Sequence, residues 1–274
     1  MSAQREFKRI TVPDIVRRKG QEKIVCLTAY TAPIAELLDP MVDLLLVGDS
    51  VGMVIHGLPS TLGVSVEMMI MHGQAVMRGA SRALVVVDLP FGSYERNTEQ
   101  AYDTAVRIMQ ETGCQAVKLE SNPGCARTVE FLTGRGIPVM GHVGLTPQSV
   151  NLDGGFKTKG RSAVERARIV KEAEEIANAG AFAVVVEGVF EDVAEEVTRT
   201  LSIPTIGIGA SSSCDGQILV VDDMLGLFER VPRFVRRYGA IREHIEAAVK
   251  RYSQDVKDSV FPSGNECYQC ESQG

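Results

Sequence analysis

Apolar runs in this chain stop, again and again, at residues that can carry protons or bind cations. "VDLLLVGDS" (42–50) ends on Asp49 and Ser50, and "ALVVVDLP" (83–90) holds Asp88. "QAVKLES" (115–121) holds Lys118 and Glu120, "IPVMGHVG" (137–144) holds His142, and "FAVVVEG" (182–188) ends on Glu187. A short apolar run bounded by Gly reads as a strand buried on both faces. Packing gives no reason to place a carboxylate at its exit. Asp49, Asp88 and Glu120 would repel one another if brought together bare. A hard divalent cation relieves that repulsion, and oxygen donors without matched His or Cys favour Mg²⁺, which keeps positions open for water or substrate. A purely structural ion-pair cluster with Lys118 or with Arg side chains is the alternative. Zinc is disfavoured, because His56, His72, His142 and His244 show no ligand spacing.

Glu187 follows Val184, Val185 and Val186. Desolvation there should raise its pKa, which suits a general base working on a weakly acidic C–H. A Glu that caps a helix or pairs with Lys118 is the bland reading of the same position. His142, inside "GHVG", fits either a donor to substrate or a satisfied strand-end histidine.

These residues need a scaffold that brings strand ends to one rim. Three further strand-like runs, "KIVCLTAY" (23–30), "IPTIGIGA" (203–210) and a weaker "QILVVDD" (217–223), bring the total to eight. Between them lie segments with apolar residues at i, i+3, i+4 spacing, several ending on Gly113, Gly136 or Gly180 as helix C-caps. Strands alternating with helices mean a parallel sheet with helical crossovers, and eight of them suit an α/β chain closed as a (β/α)8 TIM barrel. An open doubly wound sheet is the rival. It would place a G-x-G-x-x-G turn after the first strand, where this chain reads "TAYTAPIAE". In such barrels the active site lies at the C-terminal strand ends, which adds Tyr30 and the Gly207–Ser211 turn to the rim. Lys118 and Glu120, two apart, fall on one side of their strand. The connection "LTPQSVNLDGGFKTKGR" carries Gly154, Gly155 and Gly160 and reads as a lid or as a static loop.

The expected organisation is a single barrel domain over 1–274, with a short helix before the first strand, a terminal helix "GAIREHIEAAVKRYSQDV", and a flexible tail after about 262. The charge balance, 29 basic against 35 acidic residues with no basic block longer than Arg17–Lys19, argues against nucleic acid. No apolar stretch approaches the roughly 18 residues of a membrane span. "MSAQREFKRI" lacks the apolar core of a secretory signal, so a cytoplasmic location is expected. The six cysteines show no disulfide framework. Cys26 sits in an apolar run, and the Cys267/Cys270 pair in the tail has neither a second pair nor a βα context.

At this point a resemblance is carried by the residues themselves. "LVGDSVGMVIHG", "STLGVSVEMMIMH", "VVVDLPFGSY", "AVKLES", "GHVGLTPQSVNLDGGFKTKGR", "VVVEGV" and "IPTIGIGASSSCDGQILVVDDMLGL" run in order from about Phe7 to Pro262. They closely resemble the 3-methyl-2-oxobutanoate hydroxymethyltransferase (ketopantoate hydroxymethyltransferase) family, a barrel of the phosphoenolpyruvate/pyruvate-like group. The resemblance implies transfer of a hydroxymethyl group from the co-substrate 5,10-methylenetetrahydrofolate to 3-methyl-2-oxobutanoate. The product is 2-dehydropantoate, on the way to pantothenate, formed through a Mg²⁺-stabilised enolate. It implies substrate contacts from Asp49, Ser50, Asp88 and Lys118, to which His142 is added from its position. It further implies one Mg²⁺ per subunit at Asp49, Asp88 and Glu120, and Glu187 as proton acceptor. Family members are usually cytoplasmic homodecamers.

Two departures stand out. Thr31 replaces the usual Asp after "TAY" and should still cap the next helix. Ser211 replaces a Gly in "GIGAS", which puts the fine shape of that turn in question. Readings from other classes are a lyase of the isocitrate lyase or phosphonomutase kind, a barrel that only binds keto acid and metal, and a phosphate-binding barrel resting on "GIGAS". The lyase would need a K-K-C-G-H loop, and this chain has none.

Overall fold

Each run expected as a strand forms one in the computed structural model, which describes residues 8–268. The strands are β1 (Ile24–Thr28), β2 (Leu44–Val47), β3 (Leu84–Asp88), β4 (Ala116–Lys118), β5 (Val139–Gly144), β6 (Ala183–Glu187), β7 (Thr205–Ile208) and β8 (Gly216–Leu219). They pair in parallel in chain order, and β8 closes onto β1 with Cys26 opposite Ile218. The weak eighth run is shorter than its sequence suggests. It ends at Leu219, and the following Val221–Asp223 turns helical.

The helices are α1 (Val12–Val16), α2 (Ala32–Leu38), α3 (Val51–Val54), α4 (Val66–Gly79), α5 (Thr98–Thr112), α6 (Cys125–Thr133), α7 (Val150–Asp153), α8 (Ala163–Asn178), α9 (Glu191–Thr200), α10 (Val221–Met224) and α11 (Ile241–Lys257). Side-chain oxygens start several of them: Ser65 caps α4, Asn97 caps α5 and Ser162 caps α8. Thr31 holds the N-cap position of α2, yet its side chain makes no capping hydrogen bond, so the cap expected of it does not form. Gly113 is a left-handed C-cap as expected. Gly136 and Gly180 also have positive φ but lie beyond the caps of α6 and α8, which are Gly134 and Ala179.

Strand alternation explains where the site must form. Leu44 and Leu46, Leu84 and Val86, Ala116, Met140, Ala183 and Val185, Ile206 and Ile208 belong to one buried cluster. These are every second residue of their strands, so they share one face. The intervening Leu45, Val85, Val117 and Val184 are buried as well, against the helices. Continuing the first series by two residues reaches Asp88, Lys118, His142 and Glu187. The polar rim is therefore the next layer above the apolar one. At the opposite end, α1 adds Ile15 to the same cluster, and the Ile10 N–H donates to Arg82 O just before β3.

Residues 1–221 and 222–274 form two compact units, the first carrying the barrel and the second α11. Along α11, Ile245, Val249, Tyr252 and Val256 remain exposed. No helix among the described residues is long and apolar enough to cross a membrane. Cys26, Cys114, Cys125 and Cys214 are buried free thiols and Cys267 is exposed, while Cys270 lies outside the described residues.

Candidate active site

Gly48 links β2 to the rim, and a side chain there would press on Ser50 Oγ at 2.9 Å. The tight turn lets the Asp49 N–H donate to Asp88 Oδ2 at 3.0 Å, joining the exits of two neighbouring strands. Ser50 Oγ lies 2.7 Å from Tyr30 OH. Register sets Asp88 beside Lys118 across β3 and β4, and Lys118 Nζ stands 3.1 Å from Asp88 Oδ1. That contact is an ion pair off the hydrogen-bonding axis, and it leaves the buried Oδ1 without a directed hydrogen bond.

His142 joins this pair to Glu187. Lys118 Nζ lies 3.4 Å from His142 Nδ1, Glu120 Oε1 lies 3.7 Å from the same nitrogen, and Glu187 Oε2 lies 3.3 Å from Nε2. Burial, reinforced by the neighbouring Lys118 charge, lowers the His142 pKa. A neutral ring then accepts at Nδ1 from Lys118 and leaves Nε2–H 3.3 Å from Glu187 Oε2 without a directed hydrogen bond. Glu187 therefore stands beside His142, whereas its bland sequence reading paired it with Lys118. It stands at the last residue of β6, and 18% of its side chain stays accessible. Asp49 and Glu120 are more deeply buried than Glu187. Burial, followed by repulsion from Asp88, pushes Asp49 up to about 7. Burial and then Asp49 raise Glu120 well above the usual carboxylate range. For Lys118, burial acts downward, but Asp88, Glu120 and Asp49 together outweigh it and raise its pKa.

The barrel thus concentrates three buried carboxylates around one ammonium. Among the described residues no three His, Cys, Asp or Glu side chains converge as a metal cluster, so the expected Asp49–Asp88–Glu120 trio is not drawn together as a protein-only cage. The donor set still fits a hard cation of the Mg²⁺ type, which takes one or two carboxylates and completes its shell with substrate and water. The under-bonded Asp88 Oδ1 and the raised Asp49 and Glu120 are the features such a charge would relieve.

Two residues that sequence reasoning passed over complete the site. Gln148 Nε2 donates to Asp49 Oδ2 at 2.9 Å, and the Gln148 N–H donates to Glu120 Oε2 at 3.0 Å. Tyr94 OH donates to Gln148 Oε1 at 2.6 Å. Both stand in stretches that carry the family resemblance, but no period or spacing singles them out. The histidines also regroup: His72 donates from Nδ1 to Tyr30 O and meets His56 at 2.9 Å, away from His142. In the "GIGAS" turn, Ser211 is buried without left-handed backbone; its Oγ accepts from the Ser213 N–H and its carbonyl from Gln217 Nε2. The long connection after β5 is anchored at Gln148 and again at Lys159, whose N–H donates to Gly188 O at 2.8 Å.

Fold and rim together define a class, the (β/α)8 barrels that carry an acidic site at the C-terminal ends of their strands. In fold the chain is similar to a 2,3-dimethylmalate lyase, itself a PEP mutase/isocitrate lyase superfamily member, with a TM-score of 0.59 at 14% identity over 96% of this chain and 90% of that one. Within that class the sequence is decisive. Residues 9–264 match the ketopantoate hydroxymethyltransferase family, and the chain belongs to it. It is 64% identical over 270 residues to the 3-methyl-2-oxobutanoate hydroxymethyltransferase of Phenylobacterium zucineum (strain HLK1), covering 98% of each chain. It is 62% identical over 270 residues, again 98% of each, to the protein of that name from Caulobacter vibrioides (strain NA1000 / CB15N). The protein is a transferase.

Proposed function

We propose that this enzyme transfers a hydroxymethyl group from 5,10-methylenetetrahydrofolate to 3-methyl-2-oxobutanoate, giving 2-dehydropantoate for pantothenate synthesis. The observation that carries the reading is the junction at His142, which joins a partly accessible carboxylate, Glu187, to the buried Lys118–Asp88 pair. A proton acceptor and a positive charge then meet across one small substrate. Asp49 and Asp88, with Glu120 beside them, would hold a Mg²⁺-type cation, which when bound supplies a Lewis acid for negative charge on the keto oxygen.

The chain's own residues do the rest. Ser50 and Lys118 bind the keto acid, and the Lys118 ammonium favours the anionic form of the substrate. Glu187 takes the C3 proton, with His142 Nε2–H beside its carboxylate. The C3 carbanion forms the new C–C bond with the one-carbon unit of the folate, and water completes the hydroxymethyl group as tetrahydrofolate leaves. The same reading makes the enzyme a cytoplasmic homo-oligomer, a decamer by family resemblance.

Proton NMR of 3-methyl-2-oxobutanoate in D₂O with enzyme and Mg²⁺ tests this. Loss of the C3 proton signal, then hydroxymethyl product on adding methylenetetrahydrofolate, is the expected result. Glu187→Gln should slow the exchange by about 10²–10⁴-fold. Absence of both exchange and product with folded, Mg²⁺-supplied protein would sink the reading, and normal exchange in Glu187→Gln would remove Glu187 as base.

A further inference from the structure

Gln148 is buried, and both polar atoms of its side chain and its backbone N–H are committed. Nε2 donates to Asp49 Oδ2 at 2.9 Å and to Leu89 O at 3.0 Å. Its backbone N–H donates to Glu120 Oε2 at 3.0 Å. Oε1 accepts from Tyr94 OH at 2.6 Å, and the Tyr94 oxygen accepts the Glu120 N–H at 3.2 Å. A carbonyl and a carboxylate only accept, so the amide must turn its NH₂ toward Leu89 and Asp49. That orientation obliges Tyr94 to be the donor, and the direction of each bond in the network follows.

We infer that Gln148 is a positioning residue that holds Asp49 and Glu120 ready for the cation, with Tyr94 locking its amide. The assignment rests on the cation reading of the site given above. One oxygen of each acid is tied by Gln148, leaving Asp49 Oδ1 and Glu120 Oε1 for other partners. A neutral amide suits the task better than a cationic side chain, because it orients the acids without neutralising them. The network also binds the loops after β2, β3, β4 and β5 to one another, so the acids move as a unit. Outer groups of this kind typically change metal affinity about 10–100-fold.

The test is calorimetric titration of Mn²⁺ into metal-stripped full-length protein without substrates. Gln148→Ala should raise the Kd about 10–100-fold, and Tyr94→Phe should raise it several-fold. Gln115→Ala is the control, since that amide bonds Val85 N–H and Gly113 O at the other end of the barrel. It should lower the melting temperature and leave the Kd within about twofold of wild type, the span in which no ligand-orienting effect is claimed. Activity lost by Gln148→Ala at low Mg²⁺ should return when Mg²⁺ is raised in proportion to the Kd, which a merely structural defect would not allow. Wild-type Mn²⁺ affinity in folded Gln148→Ala would overturn the assignment. If that variant does not fold, unchanged affinity in Tyr94→Phe would do so. Failure of the wild-type protein itself to bind Mn²⁺ would overturn the cation reading and this inference with it.

Discussion

Lys118→Met keeps the length of the side chain and removes its charge. Lys118 is 5% exposed and is the counter-charge 3.1 Å from Asp88 Oδ1, a buried oxygen with no directed hydrogen bond of its own. Removing one partner of a buried pair costs about 3–5 kcal/mol, because the other charge is left uncompensated. The site also fixes the pH dependence. Burial and mutual repulsion already raise Asp49 to about 7 and lift Glu120, and Lys118 opposes both shifts. Without it these acids hold protons still more strongly in the folded state than in the unfolded chain. A folded state that binds more protons loses stability as pH rises, so the variant should be relatively more stable at low pH. Urea unfolding in EDTA at pH 8 and pH 5.5 measures this. The expected loss is about 3–5 kcal/mol at pH 8, shrinking by at least about 1 kcal/mol at pH 5.5. A loss below about 1 kcal/mol, equal at both pH values, would refute the idea of a charge-compensated buried cluster.

Asp39 accepts from the N–H groups of Ser81, Arg82 and Ala83 at 2.7–3.0 Å, and these donors overcome the effect of burial and lower its pKa. A depressed folded pKa gives stability that is present above the unfolded value near 4 and lost as pH falls through the folded one. Asp39→Asn should therefore cost about 1–3 kcal/mol at pH 7 and converge with wild type in acid, read by urea unfolding across pH. At Gly144, φ is +96° and an added Cβ would fall 2.3 Å from Glu187 O and 2.6 Å from Val189 Cγ1. Gly144→Ala should cost about 3 kcal/mol and displace Glu187, so C3–H exchange should fall even in the folded fraction. A folded variant with unchanged exchange would show that the β5–β6 register does not set the base.

Much of the site was legible in the chain because strand alternation is a local code. Val86 to Asp88, Ala116 to Lys118 and Val185 to Glu187 each extend an inward apolar series by two residues, so the polar rim follows from parity once the barrel is expected. Closure of eight parallel strands likewise followed from their number and their alternation with helices. What the sequence left open depends on partners far away in the chain. Gln148 meets Asp49 across 99 residues and Tyr94 across 54, and nothing local to an amide in a loop announces either contact. The relative burial of the rim acids was open for the same reason. The apolar run before Glu187 suggested a dry carboxylate, but exposure is set by what roofs the barrel mouth, and there Asp49 and Glu120 are almost fully covered while Glu187 stays partly accessible. Residue type and spacing determined which groups reach the rim. Only tertiary closure decided which of them are desolvated, paired or held, because those properties belong to the space between strands and not to any one strand.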